Sequence, residues 1–94
     1  MSNSNGLKGK RILVVGASSG IGAAVARAGV ASGAAVTVSA RRESMLNELI
    51  AAAGGGYVVA GDASIADDAK RIVEGAVYAM GGLDLVVYVA GYGV

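Results

Sequence analysis

Short apolar, β-branched runs alternate along this chain with stretches of helical spacing. Arg11-Ile-Leu-Val-Val15 is stopped by Gly16 and predicts a buried strand. From Gly20 to Ser32 the spacing turns helical, with Ile21, Val25, Ala28 and Ala31 on one face and Gly33 as the stop. Gly29 inside that helix predicts a weak point of roughly 1 kcal/mol relative to Ala. Ala35–Ser39 reads as a second strand. Glu43–Ala53 reads as a second helix carrying Met45, Leu46, Leu49 and Ile50, ended by Gly54-Gly55-Gly56. Tyr57–Ala60 reads as a third strand. Ser64 resembles an N-cap, with Asp67 and Asp68 in a first turn where the helix dipole favours acids. Ile65, Ala69, Ile72, Val73, Ala76, Val77 and Met80 form the apolar stripe of this third helix, and Gly81-Gly82 ends it. Leu85–Val89 is a fourth strand.

Strands and helices in strict alternation predict an α/β fold. Its parallel sheet is of the doubly wound, Rossmann type, truncated to four strands in the order 3-2-1-4 with three helices and right-handed crossovers. The first two helices then cover one face and the third covers the other. Strand 4 is left as an apolar edge without a neighbour, and such an edge invites self-association.

Composition narrows the chemistry. The 94 residues make about one small domain. Eight Lys and Arg against seven Asp and Glu give a net charge of +1 with no like-charge block, so no phosphate-tracking stripe for nucleic acid is expected. The absence of Cys and His excludes disulfides, thiolate or His-ligated metal sites and His-based triads. Hydrophobic residues make up 54% of the chain and aromatics only 4%, which predicts a core of Ala, Val, Ile and Leu. Gly20–Ala40 is apolar, but Arg27 and the turn at Ser32-Gly33 argue against a membrane span. Residues 1–6 lack the basic start and apolar stretch of a signal peptide and read as a flexible polar arm, so the protein is expected in the cytoplasm.

Candidate binding chemistry gathers at the strand ends. Gly16-Ala-Ser-Ser-Gly20-Ile-Gly22 follows the first strand and opens the first helix. Gly16 permits a tight turn, Gly20 lets a phosphate approach the backbone, and Gly22 lets helix and strand touch. Free amides at the helix start then face a pyrophosphate. The plainer alternative is an ordinary strand-to-helix turn. Arg41-Arg42 follows the second strand, about twenty residues beyond the glycines, with Ala40 where an acid would bind a ribose 2′-hydroxyl. Paired guanidinium groups favour a 2′-phosphate, and hence NADP over NAD, although solvated arginines at a helix start are the bland reading. Asp62, after the third strand, either accepts a bond from an adenine amino group or caps the third helix. Four strands thus end in small or polar residues at the carboxyl edge, where open α/β sheets bind ligands.

With Val15–Gly22, Arg41-Arg42, Asp62-Ala63 and Leu83-Asp84…Ala90-Gly91 in order, the chain resembles the first half of a short-chain dehydrogenase/reductase from Lys8 to Gly93. The resemblance implies that Gly16, Ser18, Ser19, Gly20, Ile21 and Gly22 hold the cofactor phosphates and adenosine ribose. It implies Arg41 near a 2′-phosphate, with Arg42 beside it in sequence, Asp62 and Ala63 at the adenine, and Ala90 and Gly91 beside the nicotinamide ribose. Residues 7–94 are then a partial dinucleotide-binding domain, whose partners are the dinucleotide and a carbonyl or alcohol substrate. Val15 stands where the family usually has Thr, and Tyr88-Val89 where it usually has Asn-Asn; Tyr88 is bulkier than Asn and is expected either to crowd the nicotinamide side or, as the plainer reading, to pack within its strand. The family's hydride-transfer pair is Tyr-x-x-x-Lys, yet Tyr57, Tyr78 and Tyr88 are followed four residues later by Gly61, Gly82 and Tyr92. The expectation is an NADP-binding half without catalytic turnover. The alternatives are a stand-alone nucleotide-binding module and a self-associating half-fold.

Overall fold

Each apolar run forms a strand, and each periodic stretch a helix. The computed structural model describes residues 6–89. The elements are β1 (Arg11–Val15), α1 (Gly20–Ala31), β2 (Ala35–Ser39), α2 (Glu43–Ala53), β3 (Tyr57–Val58), α3 (Ala66–Met80) and β4 (Leu85–Tyr88). All strand pairs are parallel, in the order β3-β2-β1-β4. This is the doubly wound arrangement that the alternation predicts, with the strand order switching direction at β1. In register, Val15 pairs with Ser39 on one side and with Tyr88 on the other.

Alternation along the strands splits the core into two layers. Ile12, Val14, Val36, Val38 and Ala40 pack with Ala26 of α1 and with Leu46 and Leu49 of α2. Leu13 and Val15 pack on the opposite face with Ile72 and Ala76 of α3. Thr37 and Ser39 point to that second face; both are fully buried, and their hydroxyls have no hydrogen-bond partner among the described residues. β1 and β4 are also tied at their amino ends. The Asp84 carboxylate accepts from Arg11 Nε at 2.9 Å, from Arg11 Nη2 at 3.1 Å and from the Arg11 backbone N–H at 2.8 Å.

Four local expectations need correction. α1 does not bury the Ile21, Val25, Ala28 and Ala31 face: its buried residues are Gly22, Ala26 and Gly29, while Ile21 is 70% exposed. Close approach of the helix to the sheet selects small side chains over large ones. A Cβ on Gly29 would lie 3.0 Å from Val36 Cγ2, so this glycine is a fitted contact rather than a weak point. Ser64 is not the N-cap of α3. Ile65 occupies that position without a side-chain cap, and Ser64 turns to Asp62 instead. β3 is shorter than Tyr57–Ala60, although its ladder continues through Val59 N–H to Val38 O (3.0 Å) and Gly61 N–H to Ala40 O (2.9 Å).

Candidate functional site

The turn between β1 and α1 is built by its own sequence. Gly16 has φ +87°, a left-handed value that glycine adopts without a Cβ penalty. Its N–H and that of Ala17 both donate to Ser39 O, at 2.8 and 3.1 Å, fixing the turn to the end of β2. Ser19 is the N-cap of α1: its hydroxyl donates to Gly16 O at 3.0 Å and accepts from Gly22 N–H at 3.0 Å. A Cβ on Gly22 would meet the Gly16 carbonyl and lie 2.9 Å from Ala17 Cα, so α1 presses directly on the turn. A Cβ on Gly20 would meet nothing within 4 Å. The N–H groups of Ser18, Gly20 and Ile21 make no hydrogen bond among the described residues. Three donors at the positive end of a helix therefore stand at an open approach.

That approach opens into a cavity of about 320 Å³ over the carboxyl ends of the strands. Val15, Gly16, Ser18 and Ser19 line it from the first crossover, and Ala40 and Arg41 from the end of β2. Gly61 to Ser64 line it after β3, and Tyr88 and Val89 at β4. A second hollow of about 490 Å³ shares Ser18 and Arg41 with the first and adds Arg42 and Met45. Arg41 and Arg42, with Ser18 and Met45, thus surround one recess.

Asp62 neither caps α3 nor lacks partners. Its Oδ1 accepts from the Ser64 hydroxyl at 2.6 Å and from the Ser64 N–H at 3.0 Å. Its own N–H donates to Asp68 Oδ2 at 2.9 Å. The two Ser64 hydrogen bonds, helped by the charge of Arg41, hold the Asp62 carboxyl below the usual carboxylate range, so it is ionised near neutral pH. The local Asx-type turn leaves Oδ2 of Asp62 without a partner among the described residues.

Of the residues singled out from the sequence, Gly16, Ser18, Ser19, Arg41, Asp62 and Ala63 line the first cavity, and Arg42 joins Ser18 and Arg41 at the second. Gly20 and Ile21 contribute open amides, while Gly22 serves packing. Ala90 and Gly91 lie outside the described residues. Tyr88 is not packed away within its strand: it is 64% exposed and lines the cavity, β4 being an edge strand with no neighbour among the described residues. Sequence reasoning overlooked Ser64 and Met45 as lining residues. Ser64 matched an N-cap pattern too well, and Met45 sits in a helical stripe that ordinarily reads as core.

A parallel sheet with a glycine turn and helix amides at its switch point defines a doubly wound fold of the nucleotide-binding type. The chain belongs to the short chain dehydrogenase family, whose family model matches residues 10–94. It is 45% identical over 89 residues to a glucose 1-dehydrogenase of Gluconobacter oxydans, covering 89% of this chain and 34% of that protein. It is 42% identical over 86 residues to an uncharacterized oxidoreductase of Methylorubrum extorquens, covering 86% of this chain and 35% of that protein. Among solved structures, a hydroxysteroid dehydrogenase from Escherichia coli superposes with a TM-score of 0.87 at 28% identity, covering 98% of this chain and 42% of that chain. A short-chain type dehydrogenase/reductase from Mycobacterium marinum gives 0.85 at 36% identity, covering 92% of this chain and 36% of that chain. The chain therefore spans about a third of the length of the curated relatives it matches. Its family is one of oxidoreductases that bind a nicotinamide dinucleotide. No helix among the described residues is long and apolar enough to cross a membrane.

Proposed function

We propose that this chain is the NADP-binding part of a short-chain oxidoreductase. The observation that carries the proposal is the recess where Ser18, Arg41 and Arg42 meet, Ser18 belonging to the same turn as the unpartnered amides of Gly20 and Ile21. The amides suit a diphosphate, and two guanidinium groups one strand away suit a ribose 2′-phosphate. No carboxylate lines the recess, so no anionic side chain there repels a phosphate. Asp62, ionised and with one oxygen free, is an acceptor for an exocyclic amino group of adenine, and Ala63 borders the same space. Bound there, the cofactor would supply or accept hydride for a carbonyl or alcohol substrate. We assign no catalytic residue within these 94 positions and expect the chain alone not to turn over substrate.

Calorimetric titration of the chain with NADPH and with NADH tests this assignment. NADPH is expected to bind more tightly, and Arg41→Asp to erase most of that preference. Equal affinities for the two cofactors in the unaltered chain would refute the 2′-phosphate assignment.

A second proposal rests on β4. Its outer edge has no strand partner among the described residues, and Leu85 and Val86 are each nearly half exposed. We propose that a second copy pairs along this edge. Sedimentation at several concentrations should show a rising average mass, and a monomer throughout would contradict the pairing.

A further inference from the structure

We propose that Tyr88 packs its ring against the part of a bound dinucleotide that lies on the β4 side of the diphosphate. This proposal builds on the NADP-binding assignment and deepens it. The strand order supplies the positional argument. Arg41, Arg42 and Asp62 follow β2 and β3, so the 2′-phosphate and adenine lie on that side of the switch point. The amides of Gly20 and Ile21 hold the middle, at the β1–α1 turn. β4 stands on the other side of β1, three strand spacings or roughly 14 Å from β3. The first cavity spans all four strand ends, and its wall at β4 is formed by Tyr88 and Val89. A dinucleotide held at the adenosine end and at the diphosphate must continue over that wall.

Tyr88 is suited to receive it. It is 64% exposed, yet it borders the cavity, opposite Val15 in the register. Val15 has no polar side-chain atom, so the floor at β1 offers only apolar contact, and the phenol supplies the large flat surface beside it. An aromatic face of this kind gains free energy from a base or sugar laid on it. Because the ring stands at the surface, removing it creates no buried cavity and leaves the two core layers untouched.

The test uses two ligands on one chain: NADP+ and adenosine 2′,5′-bisphosphate, which contains only the adenosine side. Tyr88→Ala is expected to weaken NADP+ binding about tenfold, roughly 1.4 kcal/mol, while the bisphosphate affinity changes less than about twofold. Tyr88→Phe should retain the affinity of the unaltered chain for both ligands. Circular dichroism checks the fold of each variant, and Tyr88→Leu carries the same comparison should Tyr88→Ala fail to fold. NADP+ affinity unchanged by removal of the ring, or equal weakening of both ligands, would overturn the placement while leaving the NADP-binding assignment standing. If the unaltered chain binds neither ligand, the assignment itself fails and the role of Tyr88 fails with it.

Discussion

Two glycines in the first crossover separate folding from binding. A Cβ at Gly22 would run into the carbonyl of Gly16 and the Ala17 backbone, neither of which can turn aside as a flexible side chain does. Gly22→Ala should therefore destabilise the chain by about 2 kcal/mol, read as a lower urea midpoint. A Cβ at Gly20 meets no atom within 4 Å, so Gly20→Ala should fold as well as the unaltered chain. It places a methyl group where the proposed binding mode brings a phosphate to the amides, and affinity for NADPH should fall at least about tenfold, or roughly 1.4 kcal/mol. Equal stability losses in the two variants, or undiminished binding by Gly20→Ala, would contradict this division. These positions were legible in the sequence because a tight turn and a close approach both demand a missing side chain. The turn of Ser64 toward Asp62 and the exposure of Tyr88 were not legible. The partner of Ser64, Asp62, competes with the helix end for its hydroxyl, and the exposure of Tyr88 depends on which strand lies beside it.

At the level of elements, the order and type of every strand and helix could be read from periodicity, whereas the face that α1 buries could not. Large apolar residues at helical spacing ordinarily mark the core, but α1 approaches β1 and β2 closely enough that Gly22, Ala26 and Gly29 make the contact. Only the helix-to-sheet distance decides between these faces, and one chain does not spell it out. The Arg11–Asp84 link was equally hidden, since it joins residues 73 positions apart. Its hydrogen bonds from the Arg11 side chain and backbone hold the Asp84 carboxyl down at about 2. A folded value below the ordinary one near 3.8 means that the link contributes stability above that ordinary value. The contribution is lost as pH falls through the interval from about 4 to about 2. Asp84→Asn should lower stability at neutral pH by a small, salt-sensitive amount and flatten the acid limb of the stability curve over that interval. An acid limb identical to that of the unaltered chain would show that Asp84 is not coupled to folding.

Among the described residues, the four-stranded order 3-2-1-4 brings the segments that follow β1, β2, β3 and β4 to one edge of the sheet, where they line the proposed cofactor cavity. The topology follows from right-handed crossovers and could be read from the chain, and with it the side on which a ligand would lie. A second layer covered by the third helix alone could be read from that topology, whereas the burial of Thr37 and Ser39 in it, without hydrogen-bond partners among the described residues, could not. The central claim remains that backbone amides at the first crossover hold a diphosphate. The most direct measurement is the amide proton–nitrogen spectrum of the chain during titration with NADPH. The account predicts that the resonances of Ser18, Gly20 and Ile21 shift most, followed by those around Arg41 and Asp62. Shifts confined to the amino ends of the strands, with the Ser18–Ile21 amides unmoved at saturation, would contradict it.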